Sequence, residues 1–204
     1  MSSDQSVIEY MDLLASDAPA PGGGSAAAMA GALGAALAHM VGALTAGRAK
    51  YAEHADFNAG LLERTQRMQA EFLALADEDA AVFGIMSAAY KMPKNTADEK
   101  AARKAAIQSA SKICALTPYK LMGLCKQALE LTAQAVGKTN KNVASDLGVA
   151  ALCLKAALQS AWLNVAINLG GLDDVEFAAE YRSKCEAILA EALPAADGIY
   201  DAVL

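Results

Sequence analysis

The sequence is poor in aromatic residues, has no block of cations and no closely paired cysteines. Phe, Trp and Tyr together make up 5% of 204 residues. A core built on large rings is therefore excluded, and small side chains must supply much of the 55% hydrophobic content. The formal charge is -6, with no run of Lys and Arg. Phosphate neutralisation needs clustered cations, so nucleic acid is excluded as a partner. A basic helix for a membrane surface is absent as well. The four cysteines, Cys114, Cys125, Cys153 and Cys185, form no CxxC pair. They read as buried free thiols of a reducing compartment. The first residues carry no basic-then-apolar leader, which places the expected location in the cytoplasm. His39 and His54 give no HExxH and no zinc spacing, so no metal is expected. No GxGxxG joins a strand to a helix, no Ser-His-Asp or Cys-His set stands out, and no cofactor is expected.

What is present is helical periodicity. Val7, Met11 and Leu14 recur at helical spacing. Residues 55–90 carry Leu61, Leu62, Met68, Phe72, Leu75, Val82, Phe83 and Met86 among charged residues, enough for one long helix or two collinear ones. KMPKNT breaks it at Pro93. Thr96 and Glu99 form a capping box for the next helix, predicted to end near Leu116, with Pro118 opening another. Gly137 and the polar KTNKN turn precede a long apolar helix over 143–169, stopped by GGLDD. Asp173 or Asp174 caps the last helix, with an interruption at Pro194. The fold class read from this is all-α, a single domain over 1–204 of long packed helices in a bundle-like arrangement.

Residues 25–47, SAAAMAGALGAALAHMVGALTAG, carry no formal charge and reach the length of a membrane span. Alanine and glycine drive insertion weakly, so the segment reads as a helix buried on all sides. His39 then reads as a hydrogen-bonded core residue. The helix over 143–169 is also apolar all round. A chain of this size has few helices with which to cover both, which points to an oligomer.

Several polar groups sit where such helices do not need them. Pro21, Gly22, Gly23, Gly24 and Ser25 lead into the first apolar helix. Ser25 is a good N-cap, and glycines let a ligand approach amide N–H groups at the positive end of the helix dipole. Arg48, Lys50 and Tyr51 stand just past the end of that helix. They satisfy its carbonyls, or they place a lysine and a phenol beside a ligand. In the Asp77–Glu78–Asp79 triplet, Asp79 is in step with Val82, Phe83 and Met86. Lys91 and Lys94 flank the helix break. Asn140 or Asn142 can cap the following helix, with Asp146 in its first turn. Asn164 and Asn168 lie one turn apart on the same helix. Asp146 and Asn164 share a face but lie roughly 27 Å apart at 1.5 Å per residue. One small reaction centre cannot take both from one chain.

In order, PGGGSAAAMAGALGAAL, GRAKY, DEDAAVF with PKNT, TNKNVASD and NVAIN resemble the cyclodeaminase/cyclohydrolase family of folate enzymes. The resemblance runs from about Val7 to Tyr200. It implies an all-helical homodimer acting on one-carbon derivatives of tetrahydrofolate. PKNTADEKAAR is most similar to the methenyltetrahydrofolate cyclohydrolase members. Formiminotetrahydrofolate cyclodeaminase is the alternative, and a non-catalytic helical interaction protein a second one. The chain departs from the family at Ala20, often Thr; at Thr139, often Gly; and at Thr117–Tyr119, where VPL is more usual.

The resemblance gives the polar residues roles. The methenyl carbon belongs to a cationic amidinium, whose hydrolysis needs a water, a base and a carboxylate to balance charge. Asp146 or Asp79 would serve as base or counter-charge, and Lys50 and Tyr51 would move protons. Asn140, Asn142, Asn164 and Asn168 would read the pterin or hold the water. Residues 21–25 and Lys94 would hold the benzoyl-glutamate tail.

Overall fold

The structure, a computed structural model, describes residues 5–204. Six α-helices run in chain order: α1 Val7–Leu14, α2 Gly23–Ala43, α3 Ala55–Lys91, α4 Ala97–Ala135, α5 Ala144–Leu169 and α6 Val175–Val203. Two 3₁₀ turns, Ala49–His54 and Lys141–Val143, precede α3 and α5. No strand occurs among the described residues.

α2, α3, α4 and α5 form an up-down-up-down four-helix arrangement in which α2 packs on α3 and α5, and α4 packs on the same two from the opposite corner. α6 lies over the seam between α4 and α5. Side-chain pairs fix the directions. Gly24 meets Asp79 while Gly42 meets Leu61, so α2 and α3 are antiparallel. Gly23 meets Asn164 while Gly34 meets Leu154, so α2 and α5 are antiparallel too. The start of α2, the later half of α3 and the end of α5 therefore meet at one end of the bundle.

Small residues make this closeness possible. A β-carbon at Gly31 would fall 2.5 Å from the ring of Phe72, and one at Gly34 would fall 2.7 Å from Leu154 Cγ. Phe72 and Leu154 are fully buried. One cluster of buried side chains from α2 through α6 forms the core. A smaller one, Met86, Ala89 and Ala110 with Ile107 and Cys114, joins α3 to α4.

The caps are largely as the sequence predicts. Thr96 and Glu99 form the capping box of α4, and Asp174 caps α6. α3 is one continuous helix of 37 residues. His39 Nδ1 lies 3.2 Å from Leu62 O and 3.1 Å from Thr65 Oγ1, a core histidine with partners. The cysteines are free, as expected, but only Cys125 and Cys185 are buried; Cys114 and Cys153 are half-buried.

Four expectations are corrected. The N-cap of α2 is Gly22, and Ser25 lies inside the first turn, fully buried. No helix boundary occurs at Pro118, which lies within the 39-residue α4. Proline there leaves the carbonyl of Cys114 without its i→i−4 donor, and Asn168 Nδ2 on α5 donates to that carbonyl at 3.3 Å. Pro194 likewise lies inside an unbroken α6. Lastly, α2 and α5 are not covered on all sides. Leu33, Met40 and Leu44 on α2, and Val149, Leu152, Leu163 and Ile167 on α5, are exposed. Both helices are long and apolar enough to span a membrane by length and composition. Half of the apolar window of α2 is buried against its neighbours. One chain supplies each helix with too few neighbours to cover the rest.

Candidate active site

A cleft of about 240 Å³ opens where the start of α2 meets α3, α4 and α5. Gly22, Gly23 and Gly24 form one wall, Asn164, Ile167 and Asn168 another, and Asp79, Phe83 and Met86 the floor, with Cys114 beside them.

Asp79 is the charged group of this cleft. The Ser25 N–H, one of the first-turn donors of α2 that lack a helical acceptor, donates to its carboxylate. Burial raises the pKa of Asp79 above its ordinary value, against the opposing pull of that hydrogen bond. Gly24 is required by this contact, since a β-carbon there would lie 2.2 Å from Asp79 Oδ1. The glycines thus bring a helix N-terminus onto a carboxylate. Behind them the Tyr10 hydroxyl donates to Ser25 Oγ at 3.4 Å, fixing α1 to the buried start of α2. Pro21 is buried and does not line the cleft.

The neighbours of Asp79 in sequence have other work. Glu78 Oε1 accepts from Thr117 Oγ1 at 2.9 Å and Lys120 Nζ at 2.8 Å, tying α3 to α4. The Lys120 ammonium holds the Glu78 carboxyl below its ordinary range. The departure TPY is thereby explained in part: Thr117 binds Glu78, and Tyr119 packs edge-on to Tyr181 at 5.1 Å.

Asn164 and Asn168 each donate Nδ2 to the backbone carbonyl four residues back, Ser160 O and Asn164 O, at 2.8 Å. These bonds hold both amides in fixed rotamers at the rim of the cleft. The Cys114 thiol is raised in pKa by burial and by the nearby Asp79 charge. Phe83, Met86, Cys114 and Ile167 are cleft residues that sequence reasoning did not select. Phe83 and Met86 had a legible signal, being in step with Asp79 on one helix face. Cys114 had none.

The remaining predicted residues lie elsewhere. Lys50, Tyr51, Asn140, Asn142 and Asp146 gather at the far end of α2, about 30 Å away at 1.5 Å per residue over its 21 residues. There the Tyr51 hydroxyl accepts from Lys141 N at 3.1 Å. Asn140 N donates to buried Thr45 Oγ1 at 2.9 Å, and Asn140 Oδ1 caps the turn by accepting from Asn142 N at 3.2 Å. Asp146 follows in the first turn of α5. Lys50 Nζ lies over the Tyr51 ring, 5.6 Å from its centroid. Arg48, Tyr51 and Asn58 border a second hollow of about 360 Å³. Lys94 belongs to neither end; it borders a separate groove with Lys100, Arg103 and Lys104. No cluster of His, Cys, Asp and Glu suited to a metal occurs among the described residues.

The formiminotransferase-cyclodeaminase family matches residues 6–187, and the chain belongs to it. The methenyltetrahydrofolate cyclohydrolase of Methylorubrum extorquens is 42% identical over 204 residues, covering 100% of this chain and 98% of that protein. The formimidoyltransferase-cyclodeaminase of Rattus norvegicus is 35% identical over 190 residues, covering 93% of this chain and 35% of the rat protein. The crystal structure of formiminotetrahydrofolate cyclodeaminase from Thermotoga maritima superposes with a TM-score of 0.85 at 28% identity, covering 98% and 94% of the two chains.

Proposed function

We infer that the protein hydrolyses 5,10-methenyltetrahydrofolate to 10-formyltetrahydrofolate in the Asp79 cleft. The observation that carries this is a partly desolvated carboxylate held against glycine backbone, with two amide side chains at the same opening. The similarity to a methenyltetrahydrofolate cyclohydrolase over the full chain supports the same reaction.

The chemistry follows from charge. The substrate carbon sits in an amidinium cation, and the ionised Asp79 offsets that charge in a low-dielectric cleft. The same carboxylate takes a proton from the attacking water. Oxygen bonds to the carbon, the C–N5 bond breaks, N5 takes up a proton, and one proton is released overall. Asn164 and Asn168 retain Oδ1 acceptors for the pterin edge or the water. Phe83 and Met86 offer an apolar floor to the aminobenzoyl ring.

Two copies of the chain complete the account. The outward faces of α2 and α5 form an apolar stripe with no formal charge on α2, running between the two polar ends. Pairing this stripe about a two-fold axis is an isologous contact. A two-fold axis perpendicular to α2 and α5, which run the length of the bundle, would set the Lys50–Tyr51–Asp146 end of one subunit beside the Asp79 cleft of its partner. That arrangement supports Lys50 and Tyr51 as proton-handling groups and Asp146 as a second carboxylate, roles a single chain does not permit.

Formiminotetrahydrofolate cyclodeaminase is the second reading, favoured by the fold shared with the Thermotoga maritima enzyme. Two assays separate them. Protein-dependent loss of the methenyl chromophore in a non-nucleophilic buffer is expected for the hydrolase. Chromophore growth from formiminotetrahydrofolate without hydrolysis would favour the deaminase. Activity in neither assay would contradict both.

A further inference from the structure

The polar walls of the cleft come from helices that are not neighbours. Asp79 lies on α3 and Asn168 on α5, at opposite corners of the four-helix arrangement. Their placement across the cleft is therefore set through the helices between them. A short stretch of α4, Cys114 to Pro118, reaches both sides. Toward α3, Thr117 Oγ1 donates to Glu78 Oε1 at 2.9 Å, beside Asp79 in sequence, and Cys114 Sγ donates to Val82 O at 3.8 Å. Toward α5, Cys114 O accepts from Asn168 Nδ2 at 3.3 Å.

That carbonyl is available because residue 118 is proline. In an uninterrupted ladder, Cys114 O would accept from the N–H of residue 118. Proline has no N–H, and its ring crowds the carbonyl four residues back. Pro118 is buried inside α4. The second hydrogen of Asn168 Nδ2 goes to Asn164 O at 2.8 Å. With both hydrogens on carbonyls the amide has one orientation, since turning it over would set Oδ1 against two carbonyl oxygens. Oδ1 remains as the acceptor of a residue that borders the cleft.

We propose that Pro118 is a positioning residue of the reaction. By withholding a helical N–H it makes the Cys114 carbonyl an anchor, and the anchor orients the Asn168 amide across the cleft from Asp79. This role rests on the hydrolase reading of the Asp79 cleft. An N–H at position 118 would take the carbonyl back into the helix ladder. Asn168 would then keep Asn164 O alone, and its amide would be free to turn away from the substrate.

Two measurements on the full chain test this. The first is the rate of methenyl hydrolysis in a double-mutant cycle. Pro118→Ala should lower kcat/KM by about tenfold or more, and should lower it no further in an Asn168→Ala background. The second is solvent exchange of the Asn168 carboxamide protons by NMR, assigned by their absence in Asn168→Ala. They should exchange more slowly than those of exposed Asn95 in the wild type, and faster in Pro118→Ala than in the wild type. Wild-type kcat/KM in Pro118→Ala overturns the role, as does an equal loss in both backgrounds. Wild-type exchange as fast as that of Asn95 overturns the anchor without any assay of activity. No turnover by the wild type overturns the reading on which the role rests, and the exchange rates then decide the anchor alone.

Discussion

The carboxylate of Asp79 occupies the space that a side chain at position 24 would need: a β-carbon on Gly24 would lie 2.2 Å from Oδ1 and 2.6 Å from Oδ2. Gly24 is therefore a steric requirement of the cleft, whereas Gly22 and Gly23 have room for a β-carbon. Gly24→Ala must move Asp79 or the first turn of α2. We predict a fall of 10²-fold or more in kcat/KM, on the order expected when a catalytic group is displaced by about 1 Å. The helix content by circular dichroism should stay native. Wild-type turnover in Gly24→Ala would contradict the contact.

Asp79 also sets a pH dependence. Its pKa is raised by burial, so ionisation is harder in the folded protein than in the unfolded chain. Folding stability associated with this group is present below the unfolded aspartate pKa and is lost as pH rises through the raised folded value. Activity is expected to run the other way, because Asp79 as the proposed base must be ionised. The acid limb of kcat/KM should therefore lie above the ordinary aspartate value near 3.8. At neutral pH Asp79→Asn should melt at or slightly above the wild-type temperature while losing activity. A large drop in melting temperature would assign Asp79 a structural role.

Most of the fold was legible because long helices announce themselves by apolar period and by caps such as Thr96 with Glu99. The two prolines misled for a physical reason. A helix tolerates Pro118 when another element satisfies the orphaned carbonyl, and the donor, Asn168, is fifty residues away in sequence. Ser25 misled because serine is a favoured cap, whereas the acceptor for its N–H comes from α3. The site was half legible: the glycines, Asp79, Asn164 and Asn168 share one cleft. The GRAKY and TNKN motifs form a separate end, and only the antiparallel run of α2 against α5 reveals the division.

The Asn168–Cys114 bond has its own test. Asn168→Ala leaves the Cys114 carbonyl unpaired and should cost about 1–3 kcal/mol in denaturant unfolding. Pro118→Ala restores a backbone N–H four residues after Cys114, so the same asparagine substitution should cost less in that background. Additive effects in the double-mutant cycle would show that the two sites do not share this carbonyl.

Gly31 and Phe72 test the packing of α2 on α3. A β-carbon at Gly31 reaches 2.5 Å from a fully buried ring. Gly31→Ala should destabilise by about 1–3 kcal/mol through overpacking, outweighing alanine's better helix propensity. A stabilised protein would mean that the ring has room to shift.

The proposed sharing of a site between two subunits predicts complementation. Lys50→Ala and Asp79→Asn should each be inactive alone. Mixed after dissociation and reassociation, they should recover about a quarter of wild-type activity, since half the two-fold dimers are mixed and each carries one intact site. Mixing Lys50→Ala with Asp146→Asn, which alter the same end, should recover none. Val149→Asp on the exposed face of α5 should lower the mass measured by light scattering to that of one chain and abolish turnover. A monomeric wild type would contradict the shared site.

The most direct measurement is the rate of methenyl chromophore loss from 5,10-methenyltetrahydrofolate with wild-type protein and with Asp79→Asn, spontaneous hydrolysis subtracted. The account predicts protein-dependent decay in the wild type and none above background in the folded variant. Equal decay in both would contradict Asp79 as the centre of the reaction.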